Sequence, residues 1–192
     1  METTVDHKGV DFLPPVLRRA YSVLGVLKGA GMVVSGLATF GMMAFIVADV
    51  VSRNVWGSSI PGAYEIIQNY FMIVAVFPAI GYVMAAGILP RLDLAVQRLR
   101  GRIFGAGLQI GLLGEAIVLG LLVYYSFLYA LSGFERGLGF SAAGSIYPLW
   151  PVLFLIPAGL LLALAEVLFV LIRNFYSPIG FSMEVVRDVS EF

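Results

Sequence analysis

Cysteine is absent from this chain, histidine occurs once, and charged residues make up only 12% of it. Without cysteine there are no disulfides, no thiolate nucleophile and no Cys-based metal site. The one histidine, His7, lies in a polar N-terminal segment and reads as a solvated residue rather than a ligand. No P-loop pattern occurs, so nothing points to ATP binding through one. Hydrolytic and acyl-transfer enzymes need a nucleophile with a base, or a metal. The apolar stretches hold no histidine, no cysteine and no cluster of acids from which to assemble either, so the chain does not read as an enzyme. The formal net charge is zero, which gives no electrostatic case for nucleic acid.

What the chain has instead is apolar length. Sixty per cent of its residues are hydrophobic and its mean hydropathy is +0.95. Soluble domains carry about 25% charge, so too few polar residues are present to cover a water-exposed globule. The chain is an integral membrane protein of the all-α class. Four stretches meet the roughly 20-residue requirement for crossing a bilayer. They run over residues 29–48, 66–90, 103–134 and 147–172. The third would measure about 48 Å as a straight helix, longer than the hydrocarbon core, so strong tilt or interfacial first turns are expected. Pro78 and Pro157 are the expected kink points.

Ahead of the first span, Pro14 and Pro15 suit a helix start, and Val16, Ala20, Leu24 and Leu27 recur at helical spacing. Residues 1–28 therefore read as a tail followed by an interfacial amphipathic helix, with Arg18, Arg19 and Lys28 supplying charge. The apolar run is too long for a cleavable signal peptide, and no convincing cleavage site follows it. Residues 173–192 read as a second tail.

The stretch RLDLAVQRLRGR holds Arg91, Arg98, Arg100 and Arg102 between two apolar runs. Ten of the twelve basic residues lie in the N-terminal segment, this loop and the C-terminal tail, and only Arg53 and Arg136 lie in the other two loops. The positive-inside rule then places both termini in the cytoplasm and makes the arginine-rich loop a topology signal. Leu92, Ala95, Val96 and Leu99 share one helical face, so this loop also reads as a short interfacial segment on the inner leaflet. Trp56, Tyr64 and Trp150 fall near the outer ends of spans, as interface anchors do.

A charge at the centre of a membrane helix costs about 2.5–3.5 kcal/mol on insertion scales, so Glu115 and Glu166 each need a reason. For Glu115 two readings stand: a proton carrier or subunit-interface partner, and a hydrogen-bonded glutamate packed on another helix. Glu166 lies close enough to the inner end of its span to snorkel. Gly107 and Gly111 form a GxxxG pattern that permits close helix approach.

The segment SRNVWGSSIPGAYEIIQNYF resembles the small membrane subunit of tripartite ATP-independent periplasmic (TRAP) transporters, the DctQ-like family. The matching residues are Arg53, Asn54, Ile60, Pro61 and Glu65. Physically, Ser58 or Ser59 is placed to cap the next helix, Pro61 fits its first turn and Glu65 lies near its positive end. Arg53 and Glu65 flank one tight hairpin and are placed to pair across it. After the second span, Gly87 and Asp93 are kept from the family pattern, while Leu89 and Pro90 replace its usual His-Ile. The last span matches through Pro148, Trp150, Ile156, Pro157 and Gly159, and the likeness covers roughly residues 20–175. The resemblance implies a scaffold subunit of a sodium-coupled system importing an organic acid across the bacterial inner membrane. Its implied partners are a larger membrane transport subunit and a periplasmic substrate-binding protein. It implies no substrate site, metal or cofactor in this chain, the Na+ sites lying in the larger subunit. The competing reading is a stand-alone proton-coupled transporter built on Glu115.

Overall fold

The computed structural model describes residues 15–86 and 102–176, with side chains described over 21–86 and 109–172. Each of the four apolar runs contributes a helix long and apolar enough to cross a bilayer. Helix α1 spans Pro15–Trp56, 42 residues without a break and about 63 Å long. No proline occurs between Pro15 and Pro61 to interrupt it, and Gly57, at φ 70°, ends it. The expected interfacial lead-in and first span are therefore one rod, and the division placed at residue 28 falls inside it.

The second span is a continuous helical segment, Ala63–Ala85, built from α2 (Ala63–Ile66), a π-helical turn (Ile67–Phe71) and α3 (Met72–Ala85). In the π turn the Met72 N–H reaches back five residues to the Ile67 carbonyl, and the Asn69 side-chain amide donates to the Glu65 carbonyl at 2.8 Å. Pro78 lies inside α3 and has no N–H to donate, which frees the carbonyl of Val74 four residues back. Ser35 of α1, itself buried, donates its hydroxyl to that carbonyl at 3.3 Å. The helix continues through Pro78 with its lost bond replaced from a neighbour, as helix-breaking residues in membrane spans require.

Helix α4 covers Arg102–Glu135. It closes on Gly137, at φ 59°, with the Leu138 N–H on the Gly133 carbonyl (2.8 Å) and the Gly137 N–H on the Phe134 carbonyl (3.1 Å). This is the Schellman arrangement, which satisfies carbonyls that the helix end would otherwise orphan. A two-stranded antiparallel hairpin follows, β1 (Gly139–Ala142) and β2 (Ser145–Pro148). Its two-residue loop puts Ala143 at φ 52° and Gly144 at φ 78°, the signs that a type I′ turn needs. Helix α5 is one turn, Trp150–Leu153, and α6 spans Leu155–Tyr176. The interruption at Phe154 lies three residues before Pro157, where the proline ring excludes a regular preceding turn.

The second and fourth spans also start elsewhere than expected, the second at Ala63 rather than at residue 66. Tyr147 and Pro148, assigned to the start of the fourth span, belong to β2, and the helix begins at Trp150. The all-α architecture holds for the spans, but it carries a short β-hairpin between the third and fourth.

The spans pack in a row rather than a closed bundle: α1 lies on α3, α3 on α6, and α6 on α4. Glycines set the close approaches. A Cβ on Gly31 would run into the Pro78 backbone carbonyl, and one on Gly159 into the Phe77 carbonyl. Helix α3 is therefore gripped on two sides, by α1 and by α6, through bare backbone at adjacent residues. The compact centre is small, with Leu119, Ala163 and Val167 buried and Ile80, Met84, Leu112 and Leu164 packed around them. No large side chain among the described residues is fully buried. Lipid tails are as apolar as leucine, so a single layer of helices is sustained by close packing and polar contacts instead of a sequestered core.

Candidate functional site

The outward end of the row, on the topology read from charge, is assembled around Asp49. Its carboxylate accepts the Ile60 N–H at 2.7 Å with one oxygen and pairs with Arg53 at 2.9 Å with the other. The Ser52 hydroxyl donates to the Ser58 carbonyl at 3.0 Å, so α1 holds both ends of the following loop. Ile60 to Ala63 form a turn closed by the Ala63 N–H on the Ile60 carbonyl, with Pro61 second and Gly62, at φ 77° and ψ 6°, third. Proline followed by a left-handed glycine is the type II pattern.

These contacts correct two expectations. Arg53 pairs with Asp49 one turn back on its own helix and not with Glu65, because the loop is secured by Asp49 on the same face. No serine caps the second span; Gly62 occupies the cap position and offers no side chain. Asn54 donates its amide to the Val50 carbonyl at 3.0 Å, and both Arg53 and Asn54 are exposed.

The hairpin docks on this turn. A Cβ on Gly62 would come within 3.0 Å of the Ala142 Cβ and the Ala143 nitrogen, so glycine is required there for contact as well as for conformation. Tyr70, in the π turn, donates its hydroxyl to the Pro148 carbonyl at 2.6 Å, and its ring meets Phe140 edge-on at 5.1 Å. Phe140 in turn stacks on its cross-strand partner Tyr147 at 5.9 Å. Trp150 opens α5 with its ring edge-on to Phe134 at 5.1 Å. The loop after the first span and the loop before the last thus form one platform, from which Trp56, Tyr64 and Ile146 protrude at 73%, 73% and 82% exposure.

A second polar assembly lies deeper. Lys28 of α1 and Glu166 of α6 form an ion pair at 2.7 Å, and the two residues are only 4% and 5% exposed. Helix α3 stands between α1 and α6, and the pair passes it at Gly81. A Cβ there would lie 2.8 Å from the Leu162 Cβ and 3.5 Å from the Lys28 Cγ. The Lys28 ammonium also sits over the Tyr21 ring, 4.9 Å from its centre, and Tyr21 stacks on Phe169 of α6 at 4.3 Å. Cation–π contact and the carboxylate together compensate the lost hydration of the ammonium.

Lys28 is therefore no flanking charge of a surface helix, and Glu166 does not snorkel out of its span. The signal in the sequence is a glutamate inside one apolar run and a lysine of opposite charge bordering another.

Glu115 stands apart. It is exposed on α4 and makes no ion pair among the described residues. Pro157 is buried beside the break in the fourth span, where Pro157, Ala158 and Leu161 meet Gly120, Tyr124 and Phe127 of α4 around an apolar groove of about 490 Å³. Gly87, Arg91, Asp93, Arg98 and Arg100 lie outside the described residues, as does the side chain of Arg102, whose backbone opens α4. The interfacial segment expected between the second and third spans falls there too.

Taken together, these features define a polytopic helical membrane protein in which one buried ion pair joins two helices and the loops at one end build a platform. Residues 42–178, more than two thirds of the chain, match the family model described as tripartite ATP-independent periplasmic transporters, DctQ component. The chain belongs to that family, and it is accordingly a small component of a TRAP transporter; the family is one of transporter components and not of enzymes. Searches of curated proteins and of solved structures returned no match.

Proposed function

We propose that this chain is the scaffold subunit of a sodium-coupled TRAP system that imports an organic acid across the bacterial inner membrane. In this reading it braces a larger transport subunit, which carries the substrate and Na+ sites, and its outward platform helps dock a periplasmic substrate-binding protein. Both termini are cytoplasmic. The observation that carries the reading is the open helix row: a four-helix layer leaves broad apolar faces, with Phe40, Val33 and Leu37 of α1 and Ile117, Val118 and Tyr125 of α4 all more than half exposed. Such faces suit lateral packing against a second membrane protein as well as lipid. The buried polar side chains Lys28, Ser35 and Glu166 are consumed by helix-to-helix contacts, which suits a fixed element better than a solute pathway.

Co-purification in mild detergent tests the proposal. A larger polytopic chain recovered at one-to-one stoichiometry is the expected result, and a chain that purifies only with itself contradicts it. Because the sequence holds no cysteine, orientation is checked separately with single substitutions. Ser58→Cys and Ser141→Cys should react with an impermeant thiol reagent from outside, and Gln97→Cys should not. The reverse pattern would overturn the topology.

A further inference from the structure

Resting on that reading, we propose that one face of α4, marked by Gly114, Glu115, Val118, Leu122 and Tyr125, receives a membrane helix of the larger subunit that presents a lysine or arginine to Glu115. Val118, Leu122 and Tyr125 follow the adjacent pair Gly114 and Glu115 at three- and four-residue intervals, so the five share one side of the helix. Val118, Leu122 and Tyr125 are 57%, 48% and 64% exposed.

Depth makes the carboxylate informative. Glu115 precedes the end of α4 at Glu135 by about 30 Å of helix rise, so on the proposed topology it belongs to the inner half of the span. It lies one turn from Leu119, which packs on Ala163 and Val167, and so at nearly the level of Glu166. At that level the chain matches its inward-facing carboxylate with Lys28. The outward-facing one has no cation among the described residues.

Two further features favour a helix as the occupant. Next to Glu115, a Cβ on Gly114 would meet nothing within 4 Å, whereas on the same helix Gly133 is closed over by Leu153 and Leu138. Open glycine surface beside a polar group allows the close approach that drives helix association in lipid. Lysine and arginine are also concentrated at the cytoplasmic ends of membrane helices, so a neighbouring helix brings its cation to this depth. The opposite flank of α4 carries the groove around Gly120 and Phe127 and offers no charge.

The test uses the tagged chain co-expressed with its larger subunit. Wild type and Glu115→Asp should retain the larger subunit in mild detergent. Glu115→Lys should lower its recovery at least fivefold, and Val118→Trp, which blocks the same face sterically, should lower it likewise. A photo-crosslinking residue at Leu122 should join the larger subunit, and one at Phe127 should not. Suppressors of Glu115→Lys should replace a lysine or arginine near the cytoplasmic end of a helix in the larger subunit. If Glu115→Lys impairs the chain on its own, the Val118 variant and the crosslinks decide. Unchanged recovery with Val118→Trp, or crosslinks from Leu122 to lipid alone, would overturn the proposal. Failure of the wild-type chain to retain the larger subunit would instead remove the scaffold reading on which it rests.

Discussion

Removing one member of the Lys28–Glu166 pair should be the most damaging side-chain change in the membrane region. With both residues about 95% buried, Glu166→Leu strands an ammonium between α1 and α6, and Lys28→Met strands a carboxylate. Breaking a buried pair from one side costs roughly 3–5 kcal/mol. Lysine can recover part of this by reaching along its helix toward the interface, so Glu166→Leu should fall at the lower end of that range. The double variant Lys28→Met/Glu166→Leu removes the desolvated charges together and should be more stable than either single one. Expressed as a coupling energy, the cycle should return more than the larger single loss, roughly 4–5 kcal/mol of interaction or above. The assay is thermal unfolding of the purified chain in one detergent, followed by the loss of monodisperse protein. For a chain of this size each kcal/mol moves the midpoint by about 2–4 °C, so each single variant should melt roughly 6–20 °C early. Two single variants that melt with wild type, and a cycle that closes at zero, would refute the view that this pair joins the outer and inner helices of the row.

Gly159→Ala should destabilise strongly, by about 1–3 kcal/mol or more, because its Cβ would run into the Phe77 backbone carbonyl, which cannot rotate away. Gly114→Ala, where a Cβ meets open space, serves as the control and should leave the midpoint of the isolated chain unchanged. Asp49→Ala should cost about 1–2 kcal/mol through the loss of the acceptor for Ile60, and hydrogen exchange at the Ile60 amide should accelerate while that of Ala63 in the adjoining turn changes less.

Much of the architecture is legible in composition and spacing. Four uncharged or nearly uncharged runs give four membrane helices, because in lipid the backbone has no other way to satisfy itself within one segment. Pro61 and Gly62 form a type II turn where the sequence reads as the first turn of a Ser-capped helix, because the left-handed Gly62 takes the cap position. What the sequence hides is pairing across distance. Lys28 and Glu166 are 138 residues apart, and only the packing of α3 at Gly81 tells which charge meets which. The partnership of Ser35 with the carbonyl freed by Pro78 is hidden for the same reason.

The hairpin is not legible in the sequence because its loop begins with alanine, where asparagine, aspartate or glycine marks a type I′ turn, and because Ile146 and Tyr147 look like the start of an apolar run. Asp49 is inconspicuous in the sequence, since a carboxylate one turn before an arginine reads as an ordinary surface pair. Its second bond, to the Ile60 amide, appears only when the loop is folded.

On the proposed function, this chain supports a transporter without itself being one. The direct measurement is uptake of a labelled organic acid into proteoliposomes under an inward Na+ gradient. The chain alone should give no uptake above protein-free vesicles, and uptake should appear when the larger subunit and the periplasmic binding protein are added. Solute accumulation by the chain on its own would contradict the claim.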